Sequence, residues 1–182
     1  MKSPVCGTAK LGEIQFEAKL TALHCPRCNG HWIPSENYWQ WIKEHGKALP
    51  ENPASFYSVP EADTQKALLC PECGRILQKY RLGPDIKFRL DHCGACGGVW
   101  FDRAEWEVLK DRCLHDHLHE FFTDAWQKKI RADQARERAI AIYREKFGPE
   151  DYEKILGLKN WIEAHPLKRA LMDFLTDPDP FE

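Results

Sequence analysis

A chain of 182 residues with a formal net charge of −2 can fold as one domain or two small ones, and its charge balance excludes a surface built wholly for phosphate, though not a local basic patch. No run approaches membrane-spanning length, and Met1-Lys2-Ser3-Pro4-Val5-Cys6 holds no apolar secretory core, so we expect a cytoplasmic protein without a membrane partner. There its eight cysteines would be reduced, which favours metal ligation over a disulfide framework.

Residues 1–46 carry Cys6-Gly7 and then Cys25-Pro26-Arg27-Cys28-Asn29-Gly30-His31-Trp32. Between these, Ala18, Leu20 and Ala22 alternate with polar residues, the period of a half-buried strand. Pro34-Ser35-Glu36 opens a short helix holding Tyr38, Trp39, Trp41 and Ile42. Residues 47–66, with Pro50, Pro53 and Pro60, read as a linker or long surface loop.

Residues 67–112 form the better-defined unit. Cys70-Pro71-Glu72-Cys73-Gly74 is followed by eighteen residues and then by Cys93-Gly94-Ala95-Cys96-Gly97-Gly98-Val99-Trp100. Ile86, Phe88 and Leu90 alternate with charged residues, Gly83-Pro84-Asp85 supplies a turn, and Ile76 to Leu82 can be the partner strand. After Phe101, Asp102 and Glu105 have capping-box spacing, and Trp106 and Leu109 share a helix face.

Residues 113–182 read as an all-helical region ending in an acidic tail, the pattern being helical with few breaks from about residue 103 to Gly148-Pro149. Ala132, Ala135, Ala139, Ile142 and Tyr143 form its amphipathic stripe. A second helix carries Tyr152, Ile155, Leu156 and Leu158. His165-Pro166 marks a boundary before a last stripe of Leu167, Leu171, Phe174 and Leu175. Residues 127–147 hold seven Lys/Arg against three Asp/Glu, and residues 148–182 hold four against eight, a basic helix beside an acidic segment.

A shift of 67 to 68 residues lays Ser3-Pro4-Val5-Cys6-Gly7 on Cys70–Gly74 and Cys25–Trp32 on Cys93–Trp100. The chain thus reads as an internal duplication in which one cysteine has become Ser3. Thiolates at i and i+3 of a tight turn place two sulfurs on one ion, and structural Zn²⁺ takes four in a tetrahedron. Gly74 and Gly97 permit the turn and let backbone N–H groups face sulfur. A forty-residue hairpin buries too little apolar surface to fold unaided. Zinc offsets this, supplying roughly 10–16 kcal/mol in zinc-finger peptides. We therefore expect Cys70, Cys73, Cys93 and Cys96 to hold one zinc ion.

Cys6, Cys25 and Cys28 suit a second ion whose fourth ligand is open, because a neutral serine hydroxyl is a poor one. His31, aligned with Val99, is the one new candidate beside that knuckle. The alternatives are an outside ligand, His24, or a copy that has lost its metal and leans on its tryptophans. His115 and His119, at i, i+4, are expected on a solvated helix face, and Cys113 as a packed thiol. Of seven tryptophans, Trp32 and Trp100 are expected to cover their own knuckles. The chain contains no phosphate loop, dinucleotide fingerprint or Ser/His/Asp ordering with supporting context.

Cys70-Pro-Glu-Cys73-Gly, Cys93-Gly-Ala-Cys96-Gly-Gly-Val-Trp100-Phe101-Asp102, Glu105 and Leu109 together resemble the transcription factor IIB-type zinc ribbon, a small domain of many bacterial proteins. The resemblance covers this unit and, in degenerate form, the N-terminal one. It implies an α+β fold of two small zinc ribbons, each a β-hairpin with zinc knuckles and a short helix, before the helical C-terminal region. It also implies zinc at Cys70, Cys73, Cys93 and Cys96, and a transcription-like role by ancestry only.

The function expected is a non-enzymatic zinc-binding interaction protein. A protein partner is favoured, with nucleic acid the other candidate through Lys79, Arg81, Lys87, Arg89 and the 127–147 run. The alternative is a thiol-redox switch or chaperone using the incompletely ligated first centre, since such thiolates are more open to oxidant. A hydrolytic enzyme at that centre is the weakest reading, no general base being marked beside it.

Overall fold

The computed structural model describes residues 1–45, 66–83 and 86–181. The expected linker at 47–66, apart from Lys66, and Pro84-Asp85 of the expected turn lie outside the described residues. The chain divides into two compact units, Met1–Ala132 and Asp133–Glu182.

In the first unit the N-terminal hairpin supplies β1 (Gly12–Glu17), β2 (Leu20–His24) and β3 (His31–Ile33), followed by α1 (Ser35–His45). The second hairpin supplies β4 (Gln78–Arg81), β5 (Arg89–His92) and β6 (Val99–Phe101), followed by the short helices α2 (Glu105–Asp111) and α3 (Leu118–Phe121). The two hairpins are not separate bodies. They join edge to edge into one antiparallel sheet of order β1-β2-β3-β6-β5-β4. At the junction His31 faces Phe101, Trp32 faces Trp100 and Ile33 faces Val99. Trp32 and Trp100 are equivalent positions of the 68-residue shift, so the seam has local two-fold character. The pairing also covers one edge of each hairpin, which would otherwise present unpaired backbone groups.

Strand alternation sorts side chains onto two faces. One face gathers both tryptophans with Leu11, Leu68, Leu77 and the buried thiols Cys25, Cys70 and Cys93. The other packs Leu20, Ala22, Ile33, Leu90, Val99 and Phe101 beneath residues of α1 and α2, including Tyr38, Trp41, Trp106 and Leu109. Leu20 and Ala22 are completely buried, as their alternation predicts, whereas Ala18 lies in the exposed β1–β2 turn. On β4, Lys79 pairs at 2.8 Å with Asp91, itself nearly fully buried.

Each tryptophan crosses the seam, which corrects the expectation that it covers its own knuckle. A Cβ added at Gly98 would lie 2.1 Å from the Trp32 ring, and one at Gly30 would lie 2.2 Å from the Trp100 ring. Only glycine lets backbone and indole approach this closely. Ser35, at the start of α1, likewise sits against Gly97 of the opposite knuckle.

The helical stretch expected from about residue 103 with few breaks is interrupted twice, between α2 and α3 and again before α4 (Asp124–Phe147). At the first break the Cys113 amide donates to the Lys110 carbonyl and the Leu114 amide to the Leu109 carbonyl. Cys113 itself takes a left-handed φ of 53°. This is a Schellman stop without its usual glycine, which is why the sequence does not announce it. Two further expectations change with it. Cys113 is exposed, and His115 is buried against Trp41 and Trp106 instead of sharing a solvated face with His119. At the start of α4, Trp126 donates through Nε1 to the Leu82 carbonyl at 3.2 Å and Gln127 to the Arg81 carbonyl at 2.8 Å, tying this helix to the end of β4.

The second unit holds the remainder of α4, α5 (Pro149–Ala164) and α6 (Lys168–Thr176). Gly148, at φ 77°, and Pro149 at the first turn make the expected break. The predicted stripe of α4 is not buried: Ile142 is 50 % and Tyr143 49 % exposed.

Candidate metal centres

Cys70, Cys73, Cys93 and Cys96 converge from the two knuckles of the second hairpin, with their sulfurs all within 4.8 Å of one another. Cys70 Sγ lies 3.5 Å from Cys96 Sγ, and Cys73 Sγ lies 3.5 Å from Cys93 Sγ. A tetrahedral ion with Zn–S near 2.3 Å needs an edge of about 3.8 Å, so the sulfurs already stand close to that geometry. The knuckle turns are closed by Gly74 N–H on the Cys70 carbonyl and Gly97 N–H on the Cys93 carbonyl, both glycines having positive φ. The Cys73 amide donates to Cys70 Sγ at 3.4 Å.

The electrostatics call for a cation. Burial raises the Cys93 thiol, yet hydrogen bonds from the Cys96 and Ala95 amides and from neighbouring thiols hold it down to about 7. Burial and the adjacent sulfurs push Cys96 far above the ordinary thiol range, and burial raises Cys70. Thiols this close cannot all ionise beside one another unless a divalent ion takes up the charge. The donor set and spacing fit Zn²⁺.

Residues 69–112 match the model of the transcription factor zinc-finger family. The match covers about a quarter of the chain and contains all four thiols. Neither the curated proteins nor the solved structures provide a match to the chain. This segment is a zinc ribbon, and its four-cysteine cluster is a Zn²⁺ site with a structural role.

Across the seam, Cys6, Cys25 and Cys28 form a second thiol group with the same mutual reach. Cys25 Sγ is 3.8 Å from Cys6 Sγ. The backbone repeats the other centre: Gly7 N–H bonds the Ser3 carbonyl and Asn29 N–H the Cys25 carbonyl. Asn29 takes φ 58° where Gly97 has 74°. Burial raises Cys25, but hydrogen bonds from Ser3 and the Cys28 and Arg27 amides bring it down to about 7, while burial pushes Cys28 up to about 11.

His31 does not join these thiols. Strand alternation turns it to the face opposite Trp32. There its ring lies 4.3 Å from that of Phe16, and its Nε2 stands 3.1 Å from His24 Nδ1. His24 is held on the same side, one residue out of phase with Cys25. Burial, with His24 beside it, lowers the His31 ring to about 4. Ser3 stays at the fourth corner, 1 % exposed, where sequence reasoning placed it and passed it over because a neutral hydroxyl is a poor ligand. The signal was available in the shift itself, which lays Ser3 on Cys70.

Proposed function

We propose that this protein is a non-enzymatic interaction protein in which two zinc ribbons, the second intact and the first a degenerate duplicate with its own zinc ion at Cys6, Cys25 and Cys28, stabilise a scaffold for binding a protein partner. A reducing compartment such as the cytoplasm would keep its thiols available to metal. The four-thiol centre supports a structural role, because four protein ligands leave zinc no open position for substrate.

The partner surface is carried by one observation in the helical unit. Eleven large apolar side chains between Ile142 and Phe181 are substantially exposed there, against one buried, Ile162. Such a density on some fifty residues is the mark of an interface. Within this unit a groove between α4 and α5 is lined by Ile140, Tyr143, Phe147, Tyr152, Ile155 and Leu156, with Arg136 and Lys159 also on its wall. An apolar trough beside two cations suits an amphipathic segment carrying acidic residues. The nucleic-acid reading is weaker because Lys79, one of the basic residues proposed for phosphate, is already paired with Asp91.

Differential capture tests the reading. Ile155→Asp should lose partners retained by the parent protein while keeping its zinc content. An unchanged set of captured proteins refutes the groove. Labelled DNA or RNA bound at micromolar affinity, with a steep dependence on salt, would replace the protein partner with nucleic acid.

A further inference from the structure

We propose that Ser3 is the fourth ligand of the first zinc centre, making it a three-thiolate, one-hydroxyl site from which the metal exchanges faster than from Cys70, Cys73, Cys93 and Cys96. The inference rests on the reading of a second zinc ion at Cys6, Cys25 and Cys28. Its ground is the atom-by-atom correspondence of the two centres. Ser3 Oγ lies 3.7 Å from Cys28 Sγ, where Cys70 Sγ lies 3.5 Å from Cys96 Sγ. The Cys6 amide donates to Ser3 Oγ at 3.2 Å, as the Cys73 amide donates to Cys70 Sγ at 3.4 Å. A zinc tetrahedron mixing oxygen and sulfur has an O–S edge of about 3.6 Å, so the hydroxyl needs little movement to ligate.

Ser3 is also held in place and kept dry. Its amide donates to the Ala9 carbonyl at 2.8 Å, Leu11 N–H bonds the Met1 carbonyl at 3.1 Å, and Lys2 bridges Lys10. At 1 % exposure the corner is occupied by the serine and not by bulk water. The Cys6 N–H takes one lone pair of the hydroxyl and leaves the other for the metal. On loading, three thiols release protons and the hydroxyl keeps its own. The centre then carries one formal negative charge fewer than the four-thiolate centre, with one weak neutral ligand. Weaker binding and faster exchange follow from both.

The test uses the full chain loaded with zinc, with metal content measured by native mass spectrometry and release followed with a chromogenic chelator. The parent should hold two zinc ions and release them in a fast and a slow phase. S3C should merge the fast phase into the slow one. S3A should accelerate the fast phase, on the order of tenfold to a hundredfold, and leave the slow phase alone. H31Q should change neither phase. With cobalt in place of zinc, S3C should move the first centre's d–d bands onto those of the four-thiolate centre. A parent chain that holds a single ion overturns the second-metal reading itself. Two ions with S3A matching the parent in release and cobalt spectrum, or an effect of H31Q in place of S3A, overturns the assignment of Ser3 alone.

Discussion

Replacing Gly98 by alanine drives a methyl group into the seam. The new Cβ would stand 2.1 Å from Trp32 Cζ2, with two more ring atoms at 2.7 and 2.8 Å. Carbon atoms rest about 3.5–4.0 Å apart, so the indole would have to retreat by roughly 1.5 Å. It has nowhere to go, being completely buried and paired in register with Trp100, which is buried too. Overpacking of this kind costs about 1–3 kcal/mol, and a rigid bicyclic ring puts the value at the upper end. At about 3 kcal/mol the folding equilibrium falls roughly a hundredfold, a large part of a small domain's stability. Urea unfolding of the zinc-loaded protein, followed by tryptophan fluorescence and circular dichroism, measures the cost. Gly94→Ala is the matched control in the same knuckle, since its added Cβ would meet only the Gln78 side chain at 3.9 Å, and should stay within about 0.5 kcal/mol. Trp32→Leu combined with Gly98→Ala should recover much of the loss, giving a coupling of about 1–3 kcal/mol between two halves that are 66 residues apart in sequence. Equal costs for Gly98→Ala and Gly94→Ala would refute the crossed-tryptophan packing.

Removal of zinc with a strong chelator should unfold the sheet unit, because the thiol face of its core then contains uncompensated ionisable sulfurs. Circular dichroism should report loss of the β signal, restored on adding zinc. Trp100→Phe should cost about 2 kcal/mol more than Trp32→Phe in urea unfolding. Trp100 Nε1 donates to Asp102 Oδ1 at 2.8 Å, whereas Trp32 Nε1 is buried without a partner among the described residues, Pro34 standing two residues after Trp32 as Asp102 stands two after Trp100. The His31 ring should stay uncharged on acidification until pH about 4, visible as flat imidazole shifts by NMR from pH 8 to 5. The unfolded ring takes its proton near 6.5, so between these values the unfolded chain binds more protons. Stability therefore falls as pH drops through that window, by up to about 1.4 kcal/mol per pH unit from this group.

The sequence alone determined the chemistry, because zinc ligation is written in local spacing. Four thiols at Cys70, Cys73, Cys93 and Cys96 sit in two tight turns whose geometry depends on neighbouring residues and a following glycine. The alternation of Phe88 and Leu90, and the helix break at Gly148-Pro149, were legible for the same reason: each is set by backbone preferences over a few residues. Tertiary structure decided everything that depends on one half meeting the other. His31 looked like a ligand from its distance to Cys28, but strand parity and the pairing with His24 turned it to the wrong face, and the corner stayed with Ser3. The helix stop at Cys113 carried no glycine because tertiary packing of Leu114, not local propensity, holds the left-handed turn. The stripe of α4 had the period of a core helix yet remains exposed, since amphipathicity records an apolar face and not what covers it. The crossing of Trp32 and Trp100 was least legible of all. A tryptophan two residues after a glycine packs equally well on its own knuckle or on the other hairpin's, and only the β3–β6 pairing, formed between the two hairpins, selects between them.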